Sequence, residues 1–435
     1  MIRRISILFL VGLYGVTSWA QSFDKSLLFQ DDHAVDILHG DQFRDSSQWL
    51  LYLPSFNYFA SQKGPKFTDY LYRDNQNRLL IDPNRALQTA EEENVFQSGG
   101  RVNVLSLAWK KENMILSAGY GLRYISHVDY PLQALSLYTA GNALIFGEQL
   151  DLSFDAQVQA MHSYHIGLNY QIGRLTIGGR VEYLSGIADL SVSRNKLNIE
   201  VAPLFYGISI DNDFLLNTTH LIDYQDIDEI VIDYSGDLGR SFFSANSGIS
   251  FSFAASYEVD DLSQIEFKIT DIGSVSWSEA PENFITEGQS SFGGVSILDL
   301  INVENRVSYR DSLETLIDIQ ETTESYATSM PVSLSASYMR KVHPNMSLSI
   351  SGNMVNFYGR TNYSAGVSGR YQLHQKASVS ASIAHSPYQA ISIGIGGSIA
   401  LGPIQIFAVT QNAAAIFNQL DAHYNYSSIG ATVQF

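Results

Sequence analysis

From Ala377 to Ile383 every second residue is serine, and the residues between are Ala377, Val379, Ala381 and Ile383. Side chains leave a strand alternately to opposite faces, so this stretch makes a ribbon with one apolar face and one hydroxyl face. The same period recurs from Pro331 onward. Met346, Leu348 and Ile350 alternate with Ser347, Ser349 and Ser351; Ile391, Ile393 and Ile395 alternate with Ser392, Gly394 and Gly396. The closing stretch sets Ile429, Ala431, Val433 and Phe435 against Ser428, Gly430, Thr432 and Gln434. Short breaks such as "KVHPN", "HSPYQ" and "LGP" separate these segments, which reads as an antiparallel meander. Upstream, "GRVNVLSLAW", "NMILSAGYGLRYI", "HSYHIGLNYQI", "RLTIGGRVEYL", "SGISFSFAASYEV" and "SQIEFKITDI" carry the pattern back toward the amino terminus.

Alternation of this kind suits a soluble β-sandwich as well as a membrane barrel. The start of the chain favours the barrel. Arg3 and Arg4 precede an apolar run from Ile5 to Val16, and Ser18-Trp19-Ala20 follows as a small-x-small site. This predicts a signal peptide over residues 1–20 and a mature domain over residues 21–435. The run is too short to span a bilayer as a helix, and no later segment reaches the roughly 20 apolar residues that a spanning helix needs. A membrane location therefore requires strands. Serine, glycine, asparagine and threonine on one parity, with an occasional charge as at Arg180 and Glu182, suit a watery lumen, with lipid on the other. Tyr120, Tyr124, Tyr170, Tyr183, Tyr257, Tyr338, Tyr371 and Tyr424 fall near segment ends, where interfacial girdles form.

Cysteine is absent, which excludes disulfides, thiol chemistry and an amino-terminal lipidated cysteine. The formal charge is -18; loss of Arg3 and Arg4 leaves 24 basic against 44 acidic residues, or -20. Nucleic acid is excluded as a partner for such a surface. Two regions fall outside the strand pattern. Within residues 21–98 the polar stretch from Phe67 to Phe96 has helical spacing from Arg85 to Asn94, and suits a plug or loop. Residues 295–330 read as a long loop, helical around Asp311 to Gln320.

Three stretches carry a family resemblance: "RVNVLSLAWKKENMILSAGYGLRY" with "YPLQALSLYTAGN", "YHIGLNYQIGRLTIGGRVEYLSGIADL", and "LGPIQIFAVTQNAAAIFNQLDAHYNYSSIGATVQF". They resemble a Bacteroidota-type family of outer-membrane barrels known by its domain of unknown function. That family is similar to the long-chain fatty-acid transporter and the type IX secretion shuttle barrel. The resemblance implies about 14 strands and brings no catalytic residues. Relatives carry an Asn-Pro-Ala stretch after the signal; "QDDHAVDILHG" lacks it.

Candidate chemistry is sparse. His162-Ser163 and His385-Ser386 are adjacent pairs, so in a strand each pair divides between two faces and cannot act as base and nucleophile. His162 and His165 lack the i, i+2 spacing of a strand metal site. "GIGG" at Gly394 to Gly397 lacks the Lys-Ser/Thr of a phosphate loop and suits wall curvature instead. Asp211, Asp213, Asp223, Asp226, Asp228, Glu229, Asp233 and Asp237 cluster against Arg240 alone; they read as an exposed loop, or more sharply as a divalent-cation bridge to lipopolysaccharide phosphates. The stretch "DIDEIVIDYSGD" lacks the sixth-position glycine of a calcium loop, and its middle is apolar.

The expectation is thus an all-β, transmembrane, antiparallel up-and-down barrel in a Gram-negative outer membrane, with no catalytic, cofactor or metal residues. Expected partners are outer-membrane lipid, lipopolysaccharide and, through the last strand, the barrel-assembly machinery. The leading function is a non-enzymatic conduit for a small or hydrophobic substrate. A structural or secretion partner is the alternative, and a lipid-modifying enzyme comes third.

Overall fold

The computed structural model describes residue 43 and residues 47–73, 78–140, 147, 149–201, 208–220, 222–224, 230–232, 240–292, 319–374, 376–418 and 421–435. Fourteen antiparallel strands close into one barrel. The first, β1, runs Trp49–Tyr52 and resumes as Ser55–Lys63 past Pro54, which has no N–H to give the ladder. The next six are β2 (Glu93–Lys111), β3 (Met114–Pro131), β4 (Asp155–Ile172), β5 (Leu175–Val201), β6 (Ser247–Asp260) and β7 (Ser263–Trp277). The remaining seven are β8 (Val332–His343), β9 (Met346–Phe357), β10 (Arg360–His374), β11 (Ala377–Ser386), β12 (Gln389–Leu401), β13 (Ile404–Thr410) and β14 (Tyr424–Gln434). β14 pairs back onto β1, with Leu50 opposite Gln434 and Phe56 opposite Ile429. Trp49 N donates to Phe435 O at 2.9 Å and Phe435 N to Trp49 O at 3.1 Å, so the seam reaches the last residue.

Apolar parity points out and polar parity in. Ile177, Val181, Ile383, Ile391 and Ile393 are exposed on the outer wall, whereas Ser378, Ser380, Ser382, Ser392, Arg180 and Glu182 are buried inside. Phe435 is exposed and Gln434 is buried, donating to Gln405 Oε1 at 2.9 Å, as the closing alternation anticipates. Gly394 is held by close approach: a Cβ there would lie 2.3 Å from Ser382 Oγ and 2.9 Å from Thr410 O.

The two ends of the barrel differ. Tight turns join β2–β3, β4–β5, β6–β7, β8–β9, β10–β11 and β12–β13, at the end that also holds Trp49 and Phe435. Long connections follow β1, β3, β5 and β7 at the other end. That asymmetry is the one seen in outer-membrane barrels, short turns inside and long loops outside. Above Ser185, β5 leaves β6 and pairs instead with strand Ile208–Thr219, which pairs in turn with Pro281–Phe292. This extension sheet carries the wall beyond the barrel. Helix α1 (Leu132–Ala140) covers its apolar side, where Leu150 and Leu152 pack with Leu137, Leu197, Ile199 and Ile208.

Several expectations need correction. β1 was hidden within residues 21–98, since "WLLYLPSFNYFASQK" breaks its alternation at Pro54; only the stretch 64–92 connects strands. The helix there is Pro83–Leu87, started by Pro83 and by Asp82, whose Oδ1 accepts from Asn84 N at 3.1 Å, and Glu93 already belongs to β2. Gln320 begins a short strand rather than ending a helix. Tyr424 lies on the lumen parity of β14, its hydroxyl on Gln411, and so is no girdle residue. Asp211 and Asp213 lie in a strand, paired with Lys196 at 2.7 Å and Arg194 at 2.6 Å, so Arg240 is not the sole opposing cation. The signal segment, Asp226 to Glu229, Asp233, Asp237 and Asp311 lie outside the described residues.

Parity sets a direct expectation. Ile177→Arg, on the outer wall, should cost up to about 2–4 kcal/mol, and Thr176→Arg much less. The heat-induced mobility shift of each variant on gels measures the difference; equal costs would contradict the assigned faces.

Candidate functional site

Polar and charged side chains from many strands converge in the lumen. At the short-turn end Leu50, Tyr52, Ala108 and Ile115 form an apolar cluster with Phe43, and Lys110 Nζ stands 5.7 Å over the Phe43 ring. Midway, Glu182 of β5 is buried among three arginines. Arg101 of β2 bonds its Oε1, Arg123 of β3 donates to Oε2 at 2.9 Å, and Arg180 Nε lies 3.6 Å from Oε1. Arg123 also grips Asp271 of β7 with two bonds of 2.8 Å, a fork geometry that suits guanidinium and carboxylate. Arg101 donates to Ser163 of β4 at 3.0 Å, and His165 stands in register opposite Glu182. Five strands are therefore cross-braced at one level.

Asp271 reaches this network through a bulge. Strict alternation in "SQIEFKITDI" would place it with Ile265, Phe267 and Ile269 on the lipid side. Register slips between Phe251 and Phe253 of β6, and Asp271 takes φ 63°. Asp271 N donates to Ser252 Oγ at 3.1 Å, which holds the bulge. The extra residue turns Asp271 inward and returns Ile272 to the outer wall, a common use of bulges beside special sites.

One inward step up each strand, charge gives way to hydrocarbon. Arg123 is followed by Ile125, Ser163 by Met161, Glu182 by Leu184, and Asp271 by Val275 two steps on. These residues pack with Trp277, Met330, Val355 and Phe357, and with Phe59, Tyr326 and Tyr358 at the edge. The β9–β10 hairpin turns its tip over this cluster: Tyr358 Oη donates to Gln159 Oε1 on β4 at 3.1 Å, and Arg360 pairs with Asp129 of β3. Trp277 Nε1 donates to Thr328 Oγ1 at 2.7 Å. Beside the hairpin a cavity of about 40 Å³ is lined by Gln97, Asn353, Phe357, Asn362 and Tyr388. Outside the membrane-spanning wall, Lys66 donates to Asp421 at 3.1 Å and holds its carboxyl below the usual range.

Elsewhere much of the lumen wall is hydroxyl, with a buried Lys268–Glu266 pair at 3.2 Å on β7. The Oγ atoms of Ser250, Ser351, Ser380, Ser382 and Ser428 are buried with no hydrogen-bond partner in the protein.

The adjacent histidine–serine pairs divide as their spacing requires. His162 points outward and Ser163 inward; His385 is exposed and Ser386 buried. Among the described residues no group of three His, Cys, Asp or Glu side chains is placed to hold a metal. Arg180 and Glu182 are legible in the sequence as charges on the polar parity. Arg101 and Arg123 carry the same signal, while Asp271 carries none because the bulge is not written in the alternation.

A model of the family of unknown function DUF5723 matches residues 43–411. The chain belongs to that family. No curated protein matches it. Among solved structures it is similar to the deltaS2S3 mutant of the TodX monoaromatic hydrocarbon channel, at 9% identity over 97% of this chain and 95% of that one, TM-score 0.45. It is also similar to a Pseudomonas aeruginosa FadL homologue, at 9% identity over 96% and 97%, TM-score 0.43. The Pseudomonas putida toluene transporter TodX follows, at 9% identity over 96% and 94%, TM-score 0.40. Likeness at this level fixes no function.

The network predicts a graded loss of stability. Glu182→Leu leaves three buried arginines short of a shared partner and should cost about 3–5 kcal/mol. Glu287→Gln, which removes only the exposed partner of Arg194, should cost about 0–1 kcal/mol. Unfolding midpoints in urea with reconstituted protein measure both; a Glu182 variant as stable as the Glu287 variant would contradict the bracing role.

Proposed function

We propose that this protein is a non-enzymatic barrel of a Gram-negative outer membrane that admits a small, largely apolar molecule at its long-loop end. The supporting observation is the apolar cluster of Ile125, Met161, Leu184, Val275, Trp277, Val355 and Phe357 inside an otherwise polar lumen. A water-filled pore gains nothing from such a lining, whereas binding sites for small apolar molecules are lined in this way with a few polar groups at the edge. The Tyr358 hairpin lies over the cluster through a few side-chain bonds, so it is the element that yields when a solute enters. Beneath it the Glu182 network keeps the barrel shut to free passage of ions, and its side chains shift as the solute passes.

Tyr358→Cys with Gln159→Cys pins the hairpin to the opposite wall when the two thiols are bridged by a bis-methanethiosulfonate reagent that spans the lost tyrosine–glutamine contact, and no native cysteine interferes. In cells carrying the barrel in the outer membrane, uptake of a radiolabelled monoaromatic hydrocarbon should rise over barrel-free cells. Bridging the two cysteines should abolish the gain and dithiothreitol restore it, with sucrose uptake unchanged throughout. Uptake that ignores the lock would contradict the conduit. A barrel that never raises uptake would favour the second reading, a braced structural or secretion partner, which the filled middle of the lumen supports.

A further inference from the structure

The outer wall carries an aromatic patch on β3, β4 and β5. Tyr120, Tyr164 and Tyr183 are register partners across these strands and point outward, with His162 beside them. A short 3-10 turn, Arg240–Phe243, lies over the patch from outside. Phe242 stacks on His162 with ring centroids 4.6 Å apart, and Phe243 stacks on Tyr164 at 5.1 Å and on Tyr183 at 6.5 Å. Tyr164 Oη donates to Phe242 O at 2.9 Å. His162 is thereby 2% exposed although it faces the lipid side, and its Nδ1 lies 3.0 Å from Tyr120 Oη. Phe242 and Phe243 remain 43% and 75% exposed.

The turn is clamped to the wall. Ser244 N donates to Ser185 Oγ at 2.9 Å, Ser244 Oγ to Gly186 O at 2.9 Å, and Gly186 N to Asn246 O at 2.6 Å. Asn246 Oδ1 accepts from Ser278 N at 2.8 Å and Glu279 N at 2.7 Å, where β7 passes into the extension sheet. Ser185 and Gly186 mark the level at which β5 leaves β6. The aromatic turn is therefore fixed at the branch point of the wall. It also continues the aliphatic run Leu175, Ile177 and Val181 directly, and the opposite end of the wall carries its own outward aromatic pair, Trp49 and Trp109, 6.0 Å apart. Aromatic rings with a polar atom at one edge favour the boundary between hydrocarbon and headgroups.

We infer that Phe242 and Phe243 insert into the lipid leaflet on the long-loop side, at its polar boundary, and set the depth at which the barrel gives way to its extension sheet. The occupant of this surface is lipid, because the patch is continuous with the lipid-facing wall. The inference rests on the membrane location in the proposed function but on no transported solute.

Phe243→Cys, Ile177→Cys and Glu287→Cys each take one fluorophore in the full-length barrel, reconstituted in phosphatidylcholine vesicles. Nitroxides are placed near the headgroup or deep in the acyl chains. The Phe243 probe should lose most fluorescence to the shallow nitroxide and the Ile177 probe to the deep one. The Glu287 probe should respond to neither and stay open to aqueous iodide. If the Ile177 probe is quenched by lipid while the Phe243 probe behaves like Glu287, the inference falls and the membrane location stands. Protection of the Phe243 probe from both lipid and iodide also overturns it, in favour of a protein partner. Absence of lipid quenching at Ile177 overturns the membrane location itself.

Discussion

A strand in hydrocarbon must find a partner for every backbone N–H and C=O, and here each strand finds them only in its two neighbours. The structure depends on closing that ladder between β14 and β1. Once the seam is made no edge remains, so a wall of exposed isoleucine, valine and phenylalanine has no row of free amides through which to aggregate. The seam also tolerates Pro54 because the strand is interrupted there and resumes in the same overall pairing. Closure fixes two faces with opposite solvents, and the two-residue period of the sequence is the consequence.

Inside, closure places side chains from distant segments within reach of one another. Glu182 gathers arginines from three strands, and Arg123 carries the brace to Asp271. Removing charges from water is costly, and Arg101, Arg123, Glu182 and Asp271 each make at least one hydrogen bond to an opposite charge. Directly above, the change from charge to hydrocarbon over one inward step gives the lumen two chemically distinct levels. The upper level meets a hairpin tip held at Tyr358 and Arg360, and the lower level is locked by the ion pairs of Glu182 and Asp271. On the proposed conduit reading, the upper level is where a solute enters.

The outer face was legible from residues alone, because serine against isoleucine in "SVSASI" leaves a strand no ambiguity about which side faces water. The inner face was legible only in part. Arg180 and Glu182 stood out on the polar parity, but nothing in one sequence says that Arg101, 81 positions earlier than Glu182, ends beside it. Asp271 was illegible for a local reason: the bulge reverses parity, and its cause is the positive φ at that residue together with the Ser252 hydroxyl beneath its amide. β1 carries no continuous alternation because Pro54 interrupts its period. The outward aromatic turn at Phe242 and Phe243 gave no periodic signal, since its position depends on the clamp at Ser185 and Asn246 rather than on strand alternation.

The central claim is that the first and last strands pair in the membrane. Leu50 and Gln434 are register partners, and both face the lumen. A Leu50→Cys/Gln434→Cys variant, reconstituted and mildly oxidised, should form an intramolecular disulfide in nearly every folded molecule, read as a mobility change on non-reducing gels after boiling. The control pair Leu50→Cys/Gln405→Cys, with its second cysteine on the strand beyond β14, should not. Absence of the Leu50–Gln434 bridge in folded protein, or equal bridging in the control, would contradict a closed barrel with this seam.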